Sequence, residues 1–308
     1  MDISKEQPLV SVGIPTYDRP EGLRRALECI TGQTYRNIEI IVSDNCSPGE
    51  ATQDVIRDFM KKDPRIRHYR QDRNKGAFFN GLFVLEKAAG KYFMWAADDD
   101  RWDRRFIEKC LEKMDDNTVL CFSESMVTYP DGKEDFLPSK KVTKGLSKAE
   151  GLRRLLLDQR RNREFYGVMR TDIARKYKFT RTYGEDHVFL FYLGLKGEVV
   201  KTEPGLFFTN FASSGYRSEE EALKSNKYPR RFLYFGYIYQ MVETMKALYR
   251  YGDGIKRSDK LKILYWIFHK YFFVHHFNYN IRLKFKRFFK DLFNGRLKGE
   301  GERYEPEA

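Results

Sequence analysis

The stretch Lys91-Tyr92-Phe93-Met94-Trp95-Ala96-Ala97-Asp98-Asp99-Asp100 runs from an apolar, aromatic segment straight into three carboxylates. A short apolar run bounded by polar residues reads as a buried strand, which leaves the acids at its C-terminal end. In an open parallel sheet that edge binds ligands, because the strand ends and the loops after them form the crevice there. Three adjacent acids repel one another and lose hydration on burial, so a cation is expected beside them. Hard carboxylate oxygens favour Mg²⁺ or Mn²⁺. The alternative is a solvated acidic turn capping a helix that starts near Asp103, where negative charge is favourable in any case.

The residues before this stretch repeat a strand–helix alternation. Leu9 to Pro15 is a β-branched run stopped by proline, and Thr16 to Pro20 a loop. Leu23, Ala26, Leu27 and Ile30 then recur at helical spacing from Glu21 to Ile30. A second strand, Ile38 to Val42, ends in Ser43-Asp44-Asn45. An amphipathic segment (Val55, Ile56, Phe59, Met60) leads to a third strand at Ile66 to Tyr69, and Ala77 to Ala88 is a helix after Asn74-Lys75-Gly76. The pattern predicts an α/β fold with a parallel, doubly wound sheet flanked by helices. Thr16, Asp44 and Asp98 to Asp100 then converge on one edge. That edge suits a nucleotide, with Asp44 accepting a base ring N–H or a ribose hydroxyl. Neither a Gly-x-Gly-x-x-Gly nor a Walker-type phosphate loop is present, so the phosphates must be held through metal-bridged carboxylates.

At 308 residues, with 33% charged and 41% hydrophobic residues, the chain has the composition of a globular protein with a substantial core, not of a disordered or polytopic membrane chain. The polar N-terminus, Met1 to Gln7, lacks a secretory apolar run, which points to a cytoplasmic location. Cys29, Cys46, Cys110 and Cys121 form no close pair and read as reduced thiols of the core. The net charge of +13 resides at one end: from residue 224 onward there are nineteen Lys and Arg against eight Asp and Glu. Such a basic region implies a polyanionic partner. Ile263 to Val274 is apolar but interrupted by Lys270, too short to span a bilayer. Phe285, Phe288, Phe289, Leu292 and Phe293 share a helical face against Arg282, Lys286, Arg287 and Lys290. That face fits an anionic membrane surface, or packing on the catalytic part or a second subunit in a homo-oligomer.

Val12 to Arg19, Ile40 to Ser47, Asn74-Lys75-Gly76, Asn80, Gly90-Lys91-Tyr92 and Asp98-Asp99-Asp100 together resemble the family 2 glycosyltransferases of GT-A fold, over the first ~110 residues. The resemblance implies a Rossmann-like, mixed but mainly parallel sheet, and contacts to the nucleotide from Pro15, Thr16, Tyr17, Arg19, Asp44, Asn74, Gly76 and Asp98. It makes Asp99 the metal-binding acid, with Asp100 or Asp98 as its companion, and Mn²⁺ or Mg²⁺ the cofactor. The usual first acid of that motif aligns with Ala97. In Tyr183-Gly184-Glu185-Asp186-His187, Asp186 matches the family's catalytic base and Glu185 is placed to orient the acceptor. A carboxylate at a helix N-terminus also serves as an ordinary cap. Arg217 is the candidate contact to the diphosphate, and the cluster Arg160-Arg161-Asn162-Arg163 is either a solvated surface or an acceptor-phosphate site.

The expected organisation is a nucleotide-sugar half (1–110), an acceptor and catalytic half (111–217) and a helical basic region (218–308). The expected activity is inverting, metal-dependent transfer from a nucleotide-diphosphate sugar, a UDP-sugar, to a saccharide or lipid-linked saccharide in bacterial surface glycan synthesis, on the inner face of the cytoplasmic membrane. Transfer to a polyprenyl phosphate is the alternative within the enzyme class. Long-polymer synthesis is not expected, because Gln-x-x-Arg-Trp is absent. The rival classes are a nucleic-acid-binding protein, whose binding would fall steeply with salt, and a membrane scaffold. With the acids intact, nucleic acid is not the expected partner.

Overall fold

The computed structural model describes residues 7–129, 131–158, 162–182, 184–210 and 232–274. The alternation read from the sequence is present: β1 (Val10–Thr16), α1 (Pro20–Thr31), β2 (Ile38–Asp44), α2 (Ala51–Met60), β3 (Ile66–Arg70), α3 (Ala77–Lys87) and β4 (Tyr92–Trp95). The chain continues through β5 (Asp100–Trp102), α4 (Phe106–Leu111), β6 (Thr118–Phe122), β7 (Ser125–Thr128), β8 (Glu134–Leu137) and α5 (Lys148–Leu157). A 3₁₀ turn (Arg163–Tyr166) leads to β9 (Val168–Arg170), α6 (Thr171–Lys176), α7 (Glu185–Lys196), β10 (Glu198–Lys201) and β11 (Phe207–Asn210). Last come α8 (Phe232–Tyr251), α9 (Arg257–Phe268) and a π turn (His269–Val274).

Seven strands form one sheet in the order β10-β6-β9-β4-β1-β2-β3. All neighbours are parallel except β9, which runs antiparallel to both β4 and β6. Four strands form a smaller sheet, β5-β11-β7-β8. Register fixes the working edge: Thr16 lies opposite Asp44, Asp44 opposite Arg70, and Gly13 opposite Trp95. The Ala96 amide donates to the Gly13 carbonyl (2.9 Å), so the chain past β4 continues beside β1 and delivers the acids next to Thr16. Asp100 already belongs to the small sheet, opposite Thr209. The acidic run is thus the crossing between the two sheets.

Alternate residues along the strands feed two cores, as period-two burial on both faces requires. Val10, Val12, Ile14, Met94 and Ala96 pack with α1, α2 and α4, while Phe93, Trp95, Leu120 and Met169 pack with α3, α5, α7, α8 and α9. Both cores combine residues from either side of residue 110. Ala247, Leu248, Ile263, Ile267 and Tyr271 are buried in the second, so the inner faces of α8 and α9 pack on the α/β body. The amphipathic segment at 285–293 and Arg217 lie outside the described residues, as do Arg160, Arg161 and Tyr183. Among the described residues no helix is long and apolar enough to cross a membrane. All four cysteines are free thiols; Cys110 and Cys121 are buried and Cys29 and Cys46 partly so.

Candidate active site

Position 22 admits only glycine: a Cβ there would lie 2.2 Å from the Asp98 carbonyl oxygen, so α1 can lie directly against the acidic crossing. Arg19, just before α1, reaches both acids; its guanidinium donates to Asp98 Oδ1 (3.2 Å) and Asp99 Oδ2 (3.1 Å). Thr16 donates from its hydroxyl to the other Asp98 oxygen (2.8 Å). Burial pushes the Asp98 carboxyl up to about 6, against the lowering effect of Arg19 and Thr16. Asp100 turns away, its carboxyl accepting from the Thr209 hydroxyl, and burial followed by repulsion from Asp99 pushes it up to about 7. Asp99 keeps the most exposure of the three, 24% of its side chain against 10% for Asp98, while Asp100 is buried.

This arrangement bears on a metal. The donors are hard carboxylate oxygens, which fit Mg²⁺ or Mn²⁺. Among the described residues no three His, Cys, Asp or Glu side chains converge as a ready ligand set. Asp99 is the acid left for a cation. Asp100, expected as its companion, is drawn into the small sheet.

Asp44 reaches the predicted edge but is fully buried. One oxygen accepts from the Ser47 amide (2.9 Å) and hydroxyl, and the other from Gln53 Nε2, with Arg70 Nε at 3.5 Å. Three hydrogen bonds and one ion pair hold the carboxylate, so in this structure Asp44 braces the loop after β2. The sequence reading missed Ser47, Gln53 and Arg70 as its partners. Asn74 joins the same loop, accepting from Asn45 Nδ2 (2.9 Å) and the Gly76 amide (2.9 Å). Asn80 donates to the Ser43 carbonyl (2.8 Å) and accepts from its hydroxyl (2.6 Å), tying α3 to β2. Tyr17 is exposed at the rim.

Across the edge, Glu185 is locked in place. It accepts from the Tyr177 hydroxyl (2.7 Å), the Thr180 amide (3.1 Å) and hydroxyl (2.9 Å) and the Thr182 amide (2.8 Å). Burial raises its carboxyl even so. Glu185 therefore anchors the loop before α7. Asp186, the next residue, is partly exposed in the first turn of α7.

Pro15, Asp98 and Asp186 line one cavity of about 340 Å³, together with Trp95, Phe165 and Phe179. Trp95 stacks on Phe165 (centroids 4.3 Å apart), and Phe179 meets Phe78 edge-on. A cavity walled by aromatic faces with acids at both ends offers apolar platforms for a ring and polar groups for its substituents. Composition hinted at these aromatics; their convergence from four separate segments was not readable locally.

A model of the family described as "Glycosyl transferase family 2" matches residues 11–179. TuaG of Bacillus subtilis, named as a teichuronic acid biosynthesis glycosyltransferase, is 32% identical over 127 residues, 41% of this chain and 50% of that one. The GalNAc(5)-diNAcBac-PP-undecaprenol beta-1,3-glucosyltransferase of Campylobacter jejuni is 26% identical over 178 residues, 57% and 56% of the two chains. The chain thus spans about half the length of these relatives. Among solved structures, S. aureus TarS in complex with UDP-GlcNAc superposes with a TM-score of 0.63 at 16% identity, over 85% of this chain and 72% of that one. The mannosyltransferase PcManGT of Pyrobaculum calidifontis, in complex with GDP-Man and Mn²⁺, gives 0.55 at 14% identity over 96% and 77%. The fold is that of these GT-A-type enzymes, and the chain belongs to glycosyl transferase family 2.

Proposed function

We propose that the protein transfers a sugar from a nucleotide-diphosphate sugar, a UDP-sugar, to a saccharide hydroxyl with inversion at the anomeric carbon. The observation that carries this is the shared cavity: Pro15 and Asp98 on the nucleotide side and Asp186 on the other open on the same volume. Asp186 takes the proton of the attacking hydroxyl, as a carboxylate within reach of the cavity can. Thr16 and Arg19 hold Asp98 in place, Arg19 also fixes Asp99, and the aromatic wall orients the sugar rings. A divalent cation held at Asp99 would supply positive charge against the departing diphosphate. Support for the donor comes from TarS, solved with UDP-GlcNAc, and for a lipid-linked acceptor from the undecaprenol-linked substrate named for the Campylobacter relative.

Peripheral membrane contact is part of the same reading. Leu261, Tyr265 and Phe268 form an exposed stripe on α9 beside exposed Lys256, Arg257 and Lys262. An apolar stripe edged by cations matches an anionic lipid interface.

The deciding experiment is calorimetric titration of UDP, dTDP and GDP, with and without Mn²⁺, into the wild type, Asp99→Ala and Asp186→Asn. The expected result is metal-dependent binding of UDP, lost in Asp99→Ala and kept in Asp186→Asn, with transfer abolished in the latter. No nucleotide binding, or near wild-type transfer by Asp186→Asn, sinks the assignment.

A further inference from the structure

The two rings that face each other in the cavity wall are held very differently. Trp95 and Phe165 lie nearly parallel, 12° apart with centroids at 4.3 Å. The Trp95 indole N–H donates to the Gly81 carbonyl (2.8 Å), which fixes that ring directly. Phe189 of α7 meets both rings edge-on, at 5.8 and 5.9 Å. Phe165 has no polar atom of its own and sits in the 3₁₀ turn, a short element of poor hydrogen-bond geometry.

That turn is pinned through its neighbours. Lys141, between β8 and α5, has a fully buried side chain. Its ammonium pairs with Glu164 Oε2 (2.9 Å) and donates to Asn162 Oδ1 (3.1 Å). The other Glu164 oxygen accepts from the Ser139 hydroxyl (2.5 Å). The Ser139 amide donates to Glu124 (2.9 Å), which pairs with Lys201 (2.9 Å). Beyond Phe165, the Gly167 amide donates to the Glu164 carbonyl (3.0 Å), and a Cβ at 167 would lie 2.5 Å from the Cys121 carbonyl oxygen. Positions 162, 164 and 167 are thus fixed on both sides of Phe165. A buried ion pair is seldom worth more than apolar side chains of equal volume, because both charges lose hydration. What this pair adds is direction, since its hydrogen bonds admit one orientation of the turn.

We propose that Phe165 is a specificity-determining residue that carries the sugar ring of the donor, and that Lys141 and Glu164 are its positioning residues. The inference rests on the donor reading above. The anomeric carbon must lie between the departing diphosphate and the base, so the ring attached to it occupies the volume between Asp98 and Asp186, against Phe165 and Trp95. Those aromatic faces offer apolar contact and no acceptor in the plane of the ring, so a sugar laying C–H bonds on them is preferred to one that buries a hydroxyl there unpaired.

The test is calorimetry on the full chain with Mn²⁺, reading the affinities of UDP-glucose, UDP-galactose, UDP-GlcNAc and UDP-GalNAc relative to UDP. For the tightest of these sugars, Phe165→Leu is expected to lower the ratio by about three- to tenfold, the worth of an aromatic contact, with UDP affinity unchanged. Lys141→Met combined with Glu164→Leu is expected to keep or raise the urea midpoint, as apolar replacement of buried ion pairs does, yet to lower the same ratio. A role in stability alone would instead restore the ratio together with the midpoint. Ring position is read independently from the Trp95 indole N–H resonance, assigned among the three tryptophans by its loss in Trp95→Phe. It is expected to shift in the same direction in Phe165→Leu and in the paired variant, because both take the phenyl ring from its place on the indole. If the paired variant fails to fold, Ser139→Ala, which removes one hydrogen bond to Glu164, should move both readouts the same way by less. An unmoved ratio in Phe165→Leu, or a wild-type ratio and resonance in the folded paired variant or its substitute, overturns the proposal. UDP binding with none of the sugars bound overturns it as well. Absence of UDP binding to the wild type is the separate failure of the donor reading.

Discussion

A lysine buried in an apolar setting works against the stability of the fold that holds it. Lys270 titrates near 7 in the folded protein and near its ordinary value when unfolded, so its burial penalty is fully present below pH 7. As pH rises from about 7 toward the usual lysine range, the native state sheds the proton first and the penalty fades. Lys270→Met should therefore gain about 1–4 kcal/mol below pH 7, by analogy with buried charges replaced by apolar groups of similar volume, and lose that gain toward pH 10. Urea unfolding at several pH values measures it, and no gain at pH 6 would contradict a buried charge. His187 gives the acid-side counterpart: burial brings its imidazole down to about 4. The unfolded chain takes up that proton near pH 6.5, so the stability this residue gives is lost as pH falls from there toward 4, up to about 3 kcal/mol. His187→Gln should flatten that part of the stability profile, and an unchanged slope would place the dependence elsewhere. At this scale the motif residues Asp98, Asp99 and Asp186 were legible in the sequence, because each follows a recognisable local pattern. Lys270 was read as a break in an apolar run, since hydropathy cannot show that a cation inside such a run will be buried. The hold of Ser47, Gln53 and Arg70 on Asp44 was equally hidden, because it depends on side-chain direction.

At the level of elements, the first four strands and three helices were legible because their periodicity is strong and their order consecutive. The small sheet was not: β5 has three residues and pairs with β11 about a hundred positions later, so neither carries a local signature. Its consequence for the site is that Asp100 stands on that sheet opposite Thr209. The contact of α1 with the acidic crossing yields a prediction. Gly22→Ala places a methyl where the Asp98 carbonyl stands, so α1 must move and carry Arg19 with it. Overpacking of this kind costs about 1–3 kcal/mol. Thermal melts should show that loss and calorimetry a weaker UDP affinity; a melting point and affinity both equal to wild type would refute the constraint. The exposed stripe of α9 is tested by converting Leu261, Tyr265 and Phe268 to Ser together. Partitioning onto phosphatidylglycerol vesicles should fall, and equal partitioning would leave the stripe without a lipid role.

Seen whole, the described part of the chain is not a catalytic body with a detachable tail. Ile263, Ile267 and Tyr271 are buried in the core shared with α5 and α7, and fully burying each such side chain is worth about 1.5–3 kcal/mol. Truncation before Ile255 would remove all three, so a truncated protein should melt early or aggregate, which makes point substitutions the cleaner probe of membrane contact. The hydrogen bond from Gln240 of α8 to the turn before Asp186 also has a bearing on biosynthesis. The sheet edge that carries Thr16, Asp44 and the acidic crossing is assembled from residues 10 to 102, which leave the ribosome long before residue 240. A nascent chain can thus order the acidic crossing while the turn before Asp186 still awaits its hydrogen bond from Gln240, and contacts so distant in sequence form late. The cavity that Pro15, Asp98 and Asp186 share would then be among the last features of the fold to be completed.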